Sequence, residues 1–386
     1  MKVAHFVSNF PKNSDSEVYG KSLAAYNICL SLANRGQEIH VFTVSNGKED
    51  SFEDHGNLKV HRYKPNIKYK SEGFSYKILN DPLNYDFDIV HVHSGISVAV
   101  LAGYRYSVKK NVPLVVTWHG DSIRGYGRYK GVIAGSASFF YKHILAKKIL
   151  NRAKVIISPS EYYIDVSQFL GEYKDKVVSI PNGINFEEFD VPGSQKECKE
   201  KLGLAGKKVI LFVGSLYPLK GPHILLKAIP QALEEEQDLT FVFMGGGNIE
   251  EYKNLSKELN VEKKVRFTGY IQGELKIAYY KAADIFVLPS IEAFEVFPLV
   301  LLEASASALP MIVSDLDTFK CIVKESYNGI FTKIRDEESL ANAITYLVKN
   351  EDLMEKMGSN ARKGIKNFSW DKIAETTETV YNNLHE

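Results

Sequence analysis

The sequence predicts an α/β protein built from two Rossmann-like, doubly wound domains. Three observations carry that expectation. Buried strand-like runs alternate with helical runs from the first residues onward, the pattern of parallel α/β layers. A polar, loop-rich stretch, the expected linker, begins after Pro181-Asn182-Gly183 and lasts to Gly206, and the alternation restarts at Lys208. A chain of 386 residues also holds two domains of ordinary size, each with its own core.

The elements follow in order. Val3–Ser8 reads as the first strand and Asn9–Gly20 as a polar loop. Lys21–Asn34 has helical apolar spacing at Leu23, Tyr26, Leu30 and Ala33, with Gly36 as its stop. Ile39–Val44 is a strand, and residues 46–87 are irregular, with short strands at best. Asp88–His93, Pro113–Thr117, Lys154–Ser158 and Val177–Ile180 complete the strands of the first half. In the second half the expected strands are Lys208–Gly214, Leu239–Met244, Val265–Thr268, Asp284–Leu288 and Met311–Ser314. Helices are expected at Ile224–Glu236, Ile249–Leu259 and Asp371–Leu384. No short-period repeat is visible, which argues against a solenoid.

Three cysteines, Cys29, Cys198 and Cys321, are odd in number and widely spaced. They argue for a reducing compartment and against both a disulfide framework and a cysteine-built zinc site. The first residues lack the apolar core of a signal peptide, and the longest apolar run, near Ile96–Ala102, is too short to span a bilayer. A cytoplasmic protein is expected. The formal net charge of +1 hides an asymmetry: residues 1–180 hold 24 Lys and Arg against 16 Asp and Glu, and the remainder 24 against 31. Residues 104–154 carry eleven basic side chains, one acid (Asp121) and seven Tyr or Phe. Such a face suits an anionic membrane surface, with peripheral attachment, or a polyanionic partner, or equally a solvated face whose tyrosines are partly in the core.

Parallel α/β sheets bind ligands beyond the carboxyl ends of their strands, so the residues at those ends form the functional list. The first half places Tyr19-Gly20, His93 and His119-Gly120-Asp121 there; the second places Gly214–Gly221, Gly245–Gly247, Gly269-Tyr270 and Glu295–Leu299. The stretch Leu288–Pro310 is the most informative. Pro289 closes a buried strand, and helix formers run from Pro298, at the expected first helical position, to Ala308. The amides of Phe297, Leu299 and Val300 would then face an anion, with Glu295 just before the helix and Glu303 in its second turn. A glycosidase pair needs carboxyls about 5–9.5 Å apart. Eight residues of helix rise about 12 Å, which suits two groups gripping different parts of one extended ligand.

Lys220, in Gly214-Ser215-Leu216-Tyr217-Pro218-Leu219-Lys220-Gly221, follows a strand and precedes a helix, where a point charge suits a phosphate. The loop lacks Walker A spacing, and Gly245–Gly247 does not complete a dinucleotide fingerprint. His91 and His93 share one strand face; their spacing can hold zinc, but no third ligand is evident, and wall histidines are the better reading. His119, at the tip of the next strand, suits a bond to a sugar hydroxyl.

Together these residues resemble glycosyltransferase family 4, retaining nucleotide-sugar transferases of GT-B fold. The most specific element is E-x7-E, here Glu295 to Glu303. It is supported by Val213-Gly214 with Lys220-Gly221, by Ile180-Pro181-Asn182-Gly183 with Phe189, by Ala283–Ser290, and by Phe368-Ser369-Trp370 before a final helix. Thr117-Trp118-His119-Gly120 and Leu32–Gly36 stand in the expected order in the first half.

The resemblance implies two domains facing a cleft. Residues 1–185 with the returning helix 370–386 would bind the acceptor, and 186–369 the nucleotide sugar. Glu295, Lys220 and His119 would be catalytic: Glu295 on the transferred sugar, Lys220 as counter-charge to the diphosphate, His119 on the donor sugar. Phe297, Pro298, Leu299 and Val300 would hold the diphosphate and Glu303 the ribose. Gly269, Tyr270 and Ile271 would meet the base, Gly214 and Ser215 would line the donor site, and Gly20 would let the first loop approach the phosphates. His93, Asp121 and Arg124 would face the acceptor, a saccharide or lipid-linked saccharide read by the loops 46–87 and 121–140. No metal or other cofactor and no nucleic acid are implied. Three departures stand out: Ser215 where the family has Arg, with Arg266 or a first-domain arginine as substitute; Tyr19-Gly20 for Gly-Gly; and Pro298 for glycine. Two other functions remain open, a nucleotide-sugar epimerase or hydrolase on the same fold and a non-catalytic nucleotide-sugar-binding protein.

Overall fold

The computed structural model describes residues 1–12, 20–45, 47–69, 72–94, 97–121, 144–190, 192–292 and 296–385. The chain forms two compact units, one of Met1–Gly183, Phe294–Phe297 and Trp370–Glu386, and one of Ile184–Ala293 and Pro298–Ser369.

In the first unit ten strands are described: β1 (Lys2–Phe6), β2 (Glu38–Val44), β3 (Ser51–His55), β4 (Leu58–Tyr63), β5 (Ile67–Tyr69), β6 (Glu72–Phe74), β7 (Ile89–His93), β8 (Leu114–Thr117), β9 (Val155–Ser158) and β10 (Val177–Ser179). Eight of them form one sheet in the order β10-β9-β8-β7-β1-β2-β4-β3. All its neighbours are parallel except β3, which pairs antiparallel with β4, and β5 and β6 form a separate hairpin. The irregular stretch at 46–87 thus supplies an edge to the sheet. Strand parity sorts the core. Ala4, Phe6, Val90, Val92, Leu114 and Val116 face one apolar layer, and Val3, Ile89 and Val115 face the other.

That second layer is completed by helix Lys21–Asn34 and the C-terminal helix Trp370–His385, which pack together. Ile373, Ala374 and Tyr381 of the C-terminal helix are buried in it. Arg35 fastens the helix from outside, with Nε 2.7 Å from Glu378 and Nη1 2.9 Å from Asp371. The expected return of the C-terminal helix to the first half is therefore present.

The second unit holds one all-parallel sheet of β11 (Lys208–Val213), β12 (Leu239–Met244), β13 (Val265–Gly269), β14 (Ile285–Leu288), β15 (Met311–Ser314) and β16 (Gly329–Thr332). Its order is β13-β12-β11-β14-β15-β16. The chain therefore builds outward from β11 to one side, then returns to β14 on the other. The β11/β14 boundary is the topological switch point, where such sheets leave a crevice for a ligand.

Two expectations are corrected here. The stretch taken as linker contains a helix, Gln195–Lys201, opened by a capping box in which Ser194 accepts from the Glu197 amide at 3.2 Å and Glu197 accepts from the Ser194 amide at 2.6 Å. Asp284 ties it to the sheet, with Oδ2 2.7 Å from Lys199 Nζ and 2.6 Å from the Val209 amide. The helix after β14 runs Leu299–Ala306, so Pro298 is its N-cap, in extended conformation at φ −76° and ψ 112°. A proline fits there because its fixed φ suits both conformations.

Candidate active site

The loops at the carboxyl ends of β11, β12, β13 and β14 pack backbone to backbone. A Cβ on Gly245, whose φ is +151°, would lie 1.9 Å from the Gly214 carbonyl oxygen. A Cβ on Gly221, at φ +71°, would lie 1.9 Å from that of Pro289. Only glycine allows this approach. Hydrogen bonds then lace the loops: Gly214 N to Met244 O at 3.0 Å, Leu216 N to Gly246 O at 2.7 Å, Gly245 N to Gly269 O at 2.9 Å and Ile291 N to Leu219 O at 3.0 Å. The result is a stiff floor at the switch point. Lys220 ends a short 3-10 turn in this floor, and its Cγ passes 3.8 Å from the Cβ position of Gly214. Ser215 beside it is exposed.

Helix Leu299–Ala306 begins beside that floor. Leu301, Leu302 and Ala304 are buried, and Phe297 is buried ahead of the helix. Leu299 and Val300 open it and carry first-turn amides, whereas Phe297, grouped with them from the sequence, precedes the Pro298 N-cap and lies outside the first turn. Glu303 is its charged residue, and both carboxylate oxygens have partners. Lys276 Nζ lies 2.5 Å from Oε1, and the Tyr280 hydroxyl donates to Oε2 at 2.7 Å. Lys276 and Tyr280 stand one turn apart on helix Gly273–Ala282, so they share a face. Burial first, and the Glu303 charge second, push the Tyr280 hydroxyl well above its ordinary pKa, so it stays a donor. A carboxylate has about four lone-pair sites, and two remain for a ligand. Lys276 was not evident from the sequence. The signal was the Lys-x3-Tyr spacing in the helix after Gly269-Tyr270-Ile271, which ranks low without the tertiary contact.

Gly269 ends β13 at φ +71°, Ile271 is half-buried, and the Tyr270 hydroxyl accepts from Gln272 Nε2. Arg266 does not supply the charge absent at Ser215. It lies near the start of β13, the end away from the switch-point loops, and its Nη1 donates to the Leu202 carbonyl at 2.5 Å.

In the first unit His119 follows β8. Its amide donates to Ser94 Oγ at 2.9 Å, and its Nε2 lies 3.0 Å from His93 Nδ1. Asp121 braces its own loop: Oδ1 accepts from Trp118 Nε1 and Ser167 Oγ, both at 2.9 Å, and Oδ2 from the Gln168 amide at 2.7 Å. Gly20 caps helix Lys21–Asn34 at φ 54° and ψ −120°, a conformation open to glycine. Glu295, Arg124 and Tyr19 lie outside the described residues. The third imidazole that the sequence did not reveal beside His91 and His93 is His5. It is in register with His91 across β1 and β7, and the three rings offer nitrogens within 4.8 Å of one another.

Residues 194–364 match the family model described as glycosyl transferases group 1, and residues 20–188 match that of glycosyltransferase family 4. The chain belongs to glycosyltransferase family 4. It is 29% identical to an uncharacterized glycosyltransferase of Methanocaldococcus jannaschii, over 99% of this chain and 98% of the relative. It is 28% identical to an Escherichia coli O-antigen chain mannosyltransferase C, over 94% and 93%. In fold, this family 4 glycosyltransferase is similar to Anabaena HepE, solved with UDP and glucose, at TM-score 0.79 and 17% identity over 99% and 100% of the two chains. It is also similar to sucrose-phosphate synthase of Thermosynechococcus elongatus, at TM-score 0.80 and 20% identity over 99% and 98%. The expected GT-B fold is thus present. Among the described residues no helix is long and apolar enough to cross a membrane.

Proposed function

We propose that this glycosyltransferase moves a sugar, with retention of anomeric configuration and without a metal, from a nucleotide-diphosphate sugar to a hydroxyl of a saccharide or lipid-linked acceptor. The observation that carries the reading is Glu303, braced by Lys276 and Tyr280 one turn into a helix that opens at the switch point of the second sheet. A braced carboxylate with two open lone-pair sites matches a pair of vicinal ribose hydroxyls. The helix amides and Lys220 match the diphosphate, placing positive potential where the leaving group gains charge. Support from relatives is of the same kind: HepE was solved with UDP and glucose, and the Escherichia coli relative is named a mannosyltransferase.

In this reading the acceptor hydroxyl attacks on the face from which the diphosphate departs, and the departing phosphate takes its proton. Glu295 holds hydroxyls of the transferred sugar and His119 donates to another. Gly269, Tyr270 and Ile271 meet the base, Gly214 and Ser215 line the donor site, and Gly20 leaves room for the phosphates. His93, Asp121 and Arg124 belong to the acceptor side, and the basic segment 104–154 attaches the protein to the anionic inner face of a membrane. A thermal-shift screen of nucleotide sugars, followed by transfer to an acceptor panel with chelator present, tests the proposal. An α-linked product from an α-configured donor is expected. Inversion, release of free sugar alone, or donor binding with no turnover would each overturn it.

A further inference from the structure

Five hydrogen bonds join six side chains on the inner face of the first sheet, beneath the C-terminal helix. His91 Nε2 lies 2.6 Å from Thr117 Oγ1, and His91 Nδ1 lies 2.6 Å from the Tyr381 hydroxyl. That hydroxyl lies 3.3 Å from His5 Nε2, His5 Nδ1 lies 3.1 Å from His93 Nε2, and His93 Nδ1 lies 3.0 Å from His119 Nε2. Strand parity puts these groups together: His5, His91 and Thr117 occupy the same side of neighbouring strands, and Tyr381 covers them from the helix.

The line has a direction. Burial holds His5 and His91 well below the ordinary histidine pKa, and neighbouring imidazoles add to the effect, so each ring carries one proton. Among the described residues the Thr117 hydroxyl has one partner, His91. If it accepted there, its own hydrogen would be stranded in a buried site, so it donates. His91 then carries its proton on Nδ1 and donates to Tyr381, Tyr381 donates to His5, His5 donates from Nδ1 to His93, and His93 donates from Nδ1 to His119. A metal on His5, His91 and His93 is the competing account. It would bring positive charge among buried groups whose electrostatic partners are other imidazoles, and both His91 nitrogens already face hydroxyls at 2.6 Å.

We propose that the relay Thr117–His91–Tyr381–His5–His93 holds His119 as its Nδ1–H tautomer, so that His119 meets substrate as a neutral hydrogen-bond donor. Tyr381, His5 and His93 are then positioning residues, acting through His119. The tautomer stands on the hydrogen-bond geometry together with the burial that keeps His5 and His91 neutral; its consequence for turnover rests on the proposed role of His119 at the donor sugar.

The test is 1H–15N NMR of the histidine rings in the full-length protein at pH 7.5, with thermal melts to check folding. The expected result is a protonated Nδ1 and an unprotonated Nε2 on His119. Tyr381→Phe and Thr117→Val should shift His119 toward Nε2–H and lower kcat about tenfold or more, with donor KM within about twofold. Thr117→Ser, which keeps the hydroxyl, should restore both. An Nε2–H tautomer in the wild type, no change of tautomer in Tyr381→Phe, or one bound transition-metal ion per chain in the purified protein would overturn the relay. A switched tautomer with unchanged kcat would uphold the relay and remove His119 from the reaction.

Discussion

Tyr280 donates its hydroxyl to Oε2 of Glu303 at 2.7 Å, and so couples the helix that follows β13 to the helix that follows β14. Both helices begin at the carboxyl end of the second sheet. One hydrogen bond therefore holds a candidate ligand carboxylate at a defined height above the switch-point floor. Lys276, on the same helix face as Tyr280, holds the other oxygen.

Removing either brace should weaken donor binding more than it weakens the fold. Tyr280→Phe deletes a buried hydrogen bond to a charged group, worth about 1.5–3 kcal/mol, and should raise the donor KM. Lys276→Ala should raise it as well, with partial recovery in Lys276→Arg. Nucleotide titration calorimetry beside urea unfolding separates the two effects. An unchanged nucleotide affinity in both variants would remove Glu303 from the donor site.

Lys220→Ala and Glu295→Gln should each lose most transfer activity, roughly a hundredfold or more, with native unfolding midpoints. Initial-rate assays against the wild type are the measurement. Full turnover in either variant excludes that residue from catalysis.

The switch-point floor should tolerate no side chain at Gly221. Gly221→Ala combines φ +71° with a Cβ 1.9 Å from the Pro289 carbonyl, and should cost about 3 kcal/mol. Gly246→Ala meets open space in the neighbouring loop and should stay within about 0.5 kcal/mol of the wild type. Equal midpoints for the two variants in urea would mean that the loops are not packed this way.

Stability should fall as the pH drops below neutrality. Burial first, then the nearby His40, pull His61 down to about 4, so between pH 6.5 and 4 the unfolded chain binds a proton that the folded one refuses. The penalty is absent above pH 6.5 and fully developed below pH 4. The Glu38 carboxylate, held near 2 chiefly by its bond to His40, works in the same direction over a lower window. Its contribution is present above pH 4.5 and lost as the pH falls through 2. Urea midpoints at pH 7 and pH 5 should differ, and His61→Asn should reduce the difference.

Much of this molecule was open to inspection in the chain itself. Runs such as Val209–Val213 and Ile285–Leu288 are continuous and apolar because both faces of a parallel strand are covered, and that signature survives without any partner in view. The places of Gly221, Lys220 and Glu303 were also legible, since each is local to a strand-end loop or a helix start. Some misses were local too. The Ser194-x2-Glu197 capping box was present in the expected linker, and β16 at Gly329–Thr332 was hidden because it opens on Asn328-Gly329, a dipeptide that reads as a turn.

The remaining features are set by register and packing between segments far apart in sequence. Lys276 became a partner of Glu303 only when the helices after β13 and β14 were placed side by side. His5 joined His91 because β1 is hydrogen-bonded to β7 with those two residues in register, and Tyr381 joined both from the last helix. Arg266 was separated from the candidate site by its position near the start of its strand. The sequence by itself determined which residues could bury, cap, turn or carry charge, because those are properties of single side chains and of short-range backbone geometry. The tertiary structure decided which of them meet, because an angle of strand twist and a register of pairing are properties of two segments at once.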